Sequence, residues 1–226
     1  MNAADERQIL DAISKWLERD VRAKVRELEH DDIYPEAMVA QMMELGLFGA
    51  TIPQAYGGLG LPASTYAKIV AQISEVWMSL TGIFNSHLIM AAAVARFGTE
   101  EQKQRFLPKF ASGEIRGGLA LTEPDCGTDL QAIRTRAVRE GGHYVVNGTK
   151  TWISNGIQGS CFALLVKTDP AAQPRHKGMG LLLAEKRESK SRPAQGIVGV
   201  ATRAWKQDGT TVMTFNRSIL IPKKPA

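Results

Sequence analysis

Residues 119–130 have the composition of an anion-binding turn. They read Leu-Ala-Leu-Thr-Glu-Pro-Asp-Cys-Gly-Thr-Asp-Leu. A strand that ends at Thr122 and passes into the Pro-Asp-Cys-Gly-Thr turn can aim successive backbone N–H groups at an anion, and Thr122 and Thr128 add hydroxyl groups. An ordinary turn, closed by a hydrogen bond from the Asp125 or Asp129 side chain, accounts for the same residues. The residue types alone leave both interpretations open.

Residues 150–156 could flank a planar ligand. They read Lys-Thr-Trp-Ile-Ser-Asn-Gly. On a β-strand, Trp152 and Ser154 would share one face because they lie two residues apart. That face would offer an aromatic plane beside one hydroxyl group. A Trp152 buried in a β core is the alternative, and it is the more usual place for a tryptophan.

A third pattern lies earlier in the chain, where the glycine-rich sequence Gly58-Leu59-Gly60-Leu61-Pro62-Ala63 matches the fingerprint of dinucleotide-binding loops. Glu75 follows at about the distance expected of a ribose-binding acid. That fingerprint requires a parallel strand–helix–strand unit, whereas helical patterns flank these residues on both sides. We therefore predict a glycine-rich loop that enters a helix.

The histidines and cysteines do not predict a metal site or a disulfide framework. No histidine pairs with another His or Cys at ligand spacing, and the four are His30, His87, His143 and His176. His87 lies in an apolar helical stretch, which favours a hydrogen-bonded core histidine. A functional role is the alternative, since Asn85 and Ser86 precede it. Cys126 and Cys161 form no C-x-x-C motif.

Helical patterns fill the first half of the chain. Apolar residues recur at spacings of three and four over residues 4–29, 35–45 and 62–97, and Gly82 is the candidate break in the third stretch. Thr99 and Gln102 have the spacing of a capping box, so a further short helix is predicted from Thr99 to about Phe110.

Strand patterns fill the second half. Apolar and alternating runs predict strands at residues 116–122, 133–139, 162–166, 180–184 and 197–201. Asn147-Gly148 predicts a β-hairpin with a type I′ turn over residues 144–153. Because helices precede strands, the sequence predicts an α+β fold, with an all-helical domain at residues 1–113 and a β-barrel- or sandwich-like domain at residues 114–226.

The overall composition excludes several classes of protein. The 226 residues are 44% hydrophobic and 23% charged, as in ordinary globular chains. No apolar run approaches the roughly 18 residues of a membrane span, and the N-terminus lacks a signal-peptide pattern. We therefore expect a cytoplasmic protein without membrane contact.

The net charge of +5 is unevenly distributed, because residues 171–226 hold eleven Lys and Arg against three Asp and Glu. Such a segment could meet nucleic acid or an anionic ligand such as a nucleotide phosphate. Aromatic residues are not interleaved with these charges as they are in RNA-binding sheets, so we expect no nucleic-acid partner. A solvated basic surface is the alternative to an anionic ligand.

The two candidate segments together resemble those of the acyl-CoA dehydrogenase family. The family carries a Leu-Thr-Glu-Pro turn that ends in glycine, a hydroxyl residue and aspartate, matched here by residues 121–124 and 127–129. It also carries an Asn-Gly pair that leads into tryptophan, a hydroxyl residue and Asn-Gly, matched by residues 147–148 and 152–156. Further matches lie in register at residues 45–47, 52–53, 56–58, 97–103, 107–108, 112–114 and 177–179.

The resemblance implies a helical N-terminal domain, a middle β-domain that binds FAD and acyl-CoA, and a C-terminal four-helix domain. It implies that Leu121 and Thr122 touch the pyrimidine edge of the flavin and that Thr128 contacts the pyrophosphate and the acyl-CoA. Trp152 would flank the isoalloxazine, with Ser154 near N5. The implied cofactor-binding residues are Leu119, Ala120, Leu121, Thr122, Gly127, Thr128, Trp152, Ile153 and Ser154.

The resemblance also implies a reaction, the α,β-dehydrogenation of an acyl-CoA thioester in fatty acid metabolism. A glutamate takes the α-proton as general base, hydride passes from the β-carbon to flavin N5, and the flavin supplies the redox chemistry. An electron-transfer flavoprotein or similar acceptor reoxidises the flavin. The implied enzyme is a homo-oligomer, a dimer or tetramer.

The match ends at residues 215–222, where the middle domain of the family closes. We therefore expect a truncated chain without the C-terminal helical domain, without the catalytic base and without dehydrogenase activity of its own. Glu123 belongs to the flavin turn and is not assigned as the base. Two alternatives stay open: a non-catalytic flavin- or CoA-binding scaffold, and an oxidase or flavin monooxygenase on the same fold.

Overall fold

The computed structural model describes residues 2–141 and 143–185 in full, and the backbone of two strands at residues 195–205 and 211–222. The chain divides into two compact units. The helical unit contains Met1–Gly118 and Ile157–Gly159, and the β unit contains Leu119–Gly156 and Ser160–Ala226. The predicted order of helices before strands is confirmed.

The helical unit begins with two helices where the sequence predicts one. Helix α1 spans Ala3–Trp16, and α2 spans Val25–His30. Between them lies a five-residue π-helical segment, Leu17–Val21, which buries Leu17 and Val21. The wider π turn shifts the apolar face by one position, so the amphipathic pattern continues although the α-helix does not.

Helix α3 spans Glu36–Glu44, and two residues later Gly46 has a φ of +72°, a left-handed conformation that suits glycine. Two short 3-10 turns follow, Leu47–Gly49 and Gln54–Tyr56. A Cβ on Gly58 would lie 2.1 Å from the carbonyl oxygen of Ile52. The glycine-rich sequence therefore serves close packing within a loop, as predicted, and is not part of a strand–helix–strand unit.

Helix α4, Ala63–Phe97, is the core of the helical unit, but it breaks at a different residue from the one predicted. Trp77 has non-helical angles, φ −156° and ψ 102°, whereas Gly82 lies within regular helix. Trp77 is buried, and its indole Nε1 donates a hydrogen bond to Glu29 Oε1 at 3.1 Å. The backbone departs from the helix where a large side chain is anchored, not where a glycine permits it.

Helix α4 also passes the length and composition test for a membrane-spanning helix, although no such stretch was expected from the sequence. Half of its most apolar window is buried. Core helices of packed helical domains meet the same test, because they too are apolar on several sides.

Helix α5 spans Glu100–Ser112, and the predicted capping box is confirmed. The Thr99 hydroxyl accepts a hydrogen bond from the Gln102 N–H at 3.2 Å, and the Thr99 N–H donates to the Gln102 side chain at 2.9 Å. The helix ends at Gly113, which has φ +76°.

The β unit contains a mixed five-stranded sheet and a separate two-stranded sheet. The larger sheet consists of β1 Gly117–Ala120, β2 Arg136–Glu140, β3 His143–Asn147, β4 Cys161–Lys167 and β5 Met179–Glu185. Strand β4 is central and pairs antiparallel with β5, while β2 pairs antiparallel with β3. The smaller sheet pairs β6 Gln195–Trp205 with β7 Thr211–Pro222.

Two details of the predicted β-domain are wrong. The described strands form open sheets and do not close into a barrel. The hairpin turn does not lie at Asn147-Gly148, because β3 ends there; the hairpin joins β2 to β3 and turns after Glu140, where Gly141 has φ +61°. A Cβ on Gly148 would lie 2.3 Å from the Thr135 hydroxyl, so this glycine allows a close approach to the chain before β2.

Candidate functional site

The first candidate segment of the β unit forms a tight turn after β1. The N–H of Glu123 donates to the carbonyl of Cys126 at 2.9 Å, and the N–H of Cys126 donates back at 3.2 Å. The Asp125 carboxylate pairs with the guanidinium of Arg134 at 2.8 Å. In the part of the chain that the structure describes, the N–H groups of Gly127 and Thr128 find no acceptor, as an anion-binding turn requires.

Glu123 is the first residue of this turn and is buried. Its carboxylate accepts hydrogen bonds from the N–H of Arg134, from the N–H of Thr135 at 2.9 Å and from the Thr135 hydroxyl. It also pairs with the Lys150 ammonium at 2.9 Å. Burial favours the neutral acid, but Lys150 and these donors outweigh it and lower the pKa of Glu123 to about 2.

Lys150 joins the second candidate segment to the first. Its side chain is nearly as buried as that of Glu123, and its ammonium donates a second hydrogen bond to the carbonyl of Leu121 at 2.8 Å. The next residue adds a backbone link, from the Thr151 N–H to the Thr122 carbonyl at 2.9 Å. The two segments are therefore locked together by one buried ion pair and by hydrogen bonds.

Trp152 is the most unusual residue of the site. Its φ is +56°, a left-handed conformation that is rare for a bulky side chain, and 77% of its surface is exposed. The interpretation of Trp152 as a β-core residue is therefore wrong. The strand geometry inferred for Trp152 and Ser154 is also wrong, because residues 148–156 form a loop. Both side chains are nevertheless exposed.

The structure brings all the sequence-predicted cofactor residues into the β unit. They fall into three groups by burial: Ala120 is buried in β1; Leu119, Leu121, Thr122 and Ile153 are partly buried; and Gly127, Thr128, Trp152 and Ser154 are exposed. The roles assigned to these residues stay predictions.

Sequence reasoning missed the Glu123–Lys150 pair, although both residues lie inside the quoted motifs. A signal was present, because the two residues carry opposite charges and lie in two segments that the resemblance assigns to one flavin site. The pair could not be derived from spacing, because 27 residues separate its members.

The exposed groups fit FAD. The Trp152 indole offers a flat apolar surface to an isoalloxazine. The N–H groups of Gly127 and Thr128 suit an anionic pyrophosphate, and the hydroxyls of Thr128 and Ser154 are accessible.

His87 is a core residue of the helical unit, as its apolar surroundings predict. Its Nε2 lies 3.1 Å from the carbonyl oxygen of Phe110, and its ring packs edge-on between the rings of Phe48 and Phe110. Burial lowers the pKa of His87 to about 4, so the imidazole is neutral at pH 7. These contacts account for the residue as part of the packing.

Two family models match the chain in sequence. The model described as "Acyl-CoA dehydrogenase, N-terminal domain" matches residues 3–114, and the one described as "Acyl-CoA dehydrogenase, middle domain" matches residues 118–216. Together they cover nearly all of both units.

Individual proteins agree with the family models. A mitochondrial isovaleryl-CoA dehydrogenase of Pongo abelii is 31% identical over 80% of this chain and 44% of its own length. The crystal structure of an acyl-CoA dehydrogenase from Geobacillus kaustophilus superposes with a TM-score of 0.76 and 31% identity, over 98% of this chain and 57% of that one.

A structure described as an electron transferring flavoprotein of Acidaminococcus fermentans superposes with a TM-score of 0.78 and 28% identity, over 99% of this chain and 57% of that one. The chain spans about half the length, or less, of the relatives it matches.

Proposed function

This chain belongs to the acyl-CoA dehydrogenase family, and from that premise we propose that it supplies the flavin-binding part of an FAD-dependent enzyme that dehydrogenates an acyl-CoA thioester. The domain boundaries proposed with it are residues 1–113 and 114–226. The observation that carries the proposal is the exposed Trp152, held beside the turn that contains Thr122. FAD, when bound, would accept hydride at N5.

The β unit would bind and orient the cofactor. Trp152 would cover one region of the isoalloxazine, and Ser154 would offer its hydroxyl near N5. The turn from Leu121 to Thr128 would direct backbone N–H groups and two hydroxyls at the pyrimidine edge and the pyrophosphate. Thr128 would also contact the acyl-CoA. The exposure of Trp152, Ser154 and Thr128 supports these roles.

Glu123 is unsuited to act as the general base. A base that takes an α-proton works best with a pKa near the operating pH, whereas Lys150 and the backbone donors hold the pKa of Glu123 at about 2. The carboxylate oxygens of Glu123 already accept hydrogen bonds from the Thr135 N–H, the Thr135 hydroxyl and the Lys150 ammonium. The base is therefore proposed to lie outside the residues assigned above.

We propose an acyl-CoA as substrate, an electron-transfer flavoprotein or similar acceptor as redox partner, and a homo-oligomeric state. The substrate class is supported by the names of the relatives. The homo-oligomeric state is carried over from the family resemblance.

The experiment that tests the cofactor assignment is a visible absorption spectrum of the purified chain after incubation with FAD and gel filtration. We expect a retained flavin band from the wild-type chain. A matched sample of the Trp152→Ala variant should retain less flavin, because it lacks the aromatic surface. A colourless wild-type protein would contradict flavin binding by this chain and would leave a CoA-binding, non-catalytic scaffold as the alternative.

A further inference from the structure

We propose that Glu123 and Lys150 are positioning residues, whose buried ion pair holds Trp152 in its left-handed conformation and presents the indole to the ligand. The identity of that ligand, FAD, rests on the proposed function. The geometry of the loop does not, because every contact involved lies within the β unit itself.

The first argument is the completeness of the ion pair. Its two side chains are 8% and 5% exposed, and each has further partners besides the other. Lys150 also binds the Leu121 carbonyl, and Glu123 also accepts from the backbone before β2. A buried pair with every group satisfied is a poor way to gain stability compared with apolar packing. It does, however, impose one geometry on the segments that it joins.

We call the buried Glu123–Lys150 ion pair the clamp. The second argument is the position of Trp152 directly after Lys150 and Thr151, the two residues that are bound to the turn. A bulky side chain in the left-handed region persists only where its surroundings enforce it. On the N-terminal side, Lys150 and the Thr151 N–H are both fixed to the turn. On the C-terminal side, the Gly156 N–H donates to the Ile153 carbonyl at 2.9 Å. The loop is therefore restrained at both ends of the strained residue.

A second ion pair provides a matched control. Asp125 and Arg134 join the same turn to the segment before β2, not to the Trp152 loop, at 2.8 Å, and their side chains are 64% and 79% exposed. Solvent screens such a pair. If any ion pair made by this turn sufficed to hold the loop, removing this pair would have the same effect as removing the buried one.

Loss of the clamp should lower ligand affinity through the loop conformation. When only a fraction of the molecules has the binding-competent loop, the apparent affinity falls by that fraction. A loop that is competent about a tenth of the time would bind FAD about tenfold more weakly. The visible band of the FAD that still binds should also change shape, because the indole would no longer be held in one orientation.

The test compares Lys150→Met, Glu123→Gln, the double variant of both, and the control Asp125→Asn in the full 226-residue chain. For each variant we would measure the Kd for FAD, the Tm, the flavin spectrum at saturation, and amide hydrogen exchange of residues 150–156 without ligand. We expect each single variant to lower the Tm, to weaken FAD binding about tenfold and to speed exchange at Thr151 about tenfold. The Asp125→Asn variant should match the wild type.

The double variant separates positioning from stability. It leaves no buried charge without a partner, so its Tm should recover toward the wild-type value. Its FAD affinity, spectrum and exchange should stay altered, because the Lys150 contacts to Leu121 and Glu123 are still missing. Recovery of affinity together with the Tm would overturn the proposal and make the pair a stability element only.

The proposed function and the clamp can fail separately. If the wild-type chain bound no FAD, the proposed function would be contradicted, and hydrogen exchange would still decide on the clamp. Wild-type exchange rates at residues 150–156 in both single variants would refute the clamp whether or not FAD binds.

Discussion

Trp77 in the helical unit and Trp152 in the β unit both depart from regular backbone geometry, and their surroundings are opposite. Trp77 interrupts α4, has 5% of its surface exposed, and donates its indole N–H to Glu29. Trp152 has φ +56°, lies in a loop and exposes most of its indole. Packing and a hydrogen bond offset the irregular backbone at Trp77. Trp152 is not buried in this way, and its backbone is held instead by the polar contacts of Lys150 and Thr151.

The contrast separates two uses of the same residue type. A buried tryptophan stabilises its own unit, whereas an exposed one held in an unfavourable conformation is available to a partner. The buried polar groups of the two units also differ in what they do. In the helical unit His87 packs in the core, whereas in the β unit the buried charges of Glu123 and Lys150 hold a loop in place. The following predictions test this division.

The largest expected effect is the loss of stability in the Trp77→Ala variant. Removing a buried tryptophan side chain costs about 3–5 kcal/mol, whereas Trp152→Ala should change the free energy of unfolding by less than about 0.5 kcal/mol. Urea unfolding monitored by circular dichroism measures both values. An equal loss of unfolding free energy in the two variants would contradict the distinction between a stabilising Trp77 and an exposed Trp152 that is available to a partner.

Acid should destabilise the helical unit through His87. In the unfolded chain a histidine binds a proton below its ordinary pKa of 6.5, but the buried imidazole does so only near pH 4. Stability is therefore lost as the pH falls from about 6.5 to 4, by up to about 3 kcal/mol. The unfolding free energy of His87→Gln, measured across this range, should lack that step. The same step in the variant would assign it to another group.

The β unit should lose stability at lower pH through Glu123. Its pKa is about 2 when folded against 4.5 ordinarily, so its contribution is complete above about pH 4.5 and is lost as the pH falls toward 2. The contribution is on the order of 3 kcal/mol. Hydrogen exchange of β4 amides between pH 5 and 2.5 measures it against Glu123→Gln. A pH dependence that persisted unchanged in the variant would exclude Glu123 as its source.

The smallest expected effect is on ligand affinity. Trp152→Ala should weaken FAD binding about tenfold, as loss of the ion pair does, because an aromatic contact contributes up to about 1.5 kcal/mol. Trp152→Phe should retain most of that affinity, since it keeps an aromatic face. Fluorescence titration of FAD measures both, and equal affinities for wild type and Trp152→Ala would leave the exposed indole without this role.

The sequence predicted most of the fold because local signals agree with tertiary structure there. Thr99 and Gln102 form hydrogen bonds with each other. The apolar runs that form β4 and β5 pair with each other and are neighbours in the sequence. The predictions failed where a distant residue decides. Asn147-Gly148 has the residue types of a hairpin turn, yet Gly148 packs closely against Thr135, and Lys150, two residues later, binds Glu123.

The same limit applies to the candidate site. Motif chemistry located the turn and the Trp152 loop, but it placed Trp152 on a strand and left open whether it is buried. The left-handed backbone and the Glu123–Lys150 pair depend on contacts between segments 27 residues apart. Spacing along the chain carries no information about such contacts.

The most direct test of the account is hydrogen–deuterium exchange of the wild-type chain with and without saturating FAD, resolved by peptide. We expect protection of peptides from two segments, residues 119–128, which include the N–H groups of Gly127 and Thr128, and residues 150–156. Protection that left both segments unchanged would contradict the assignment of this turn and this loop as the flavin site.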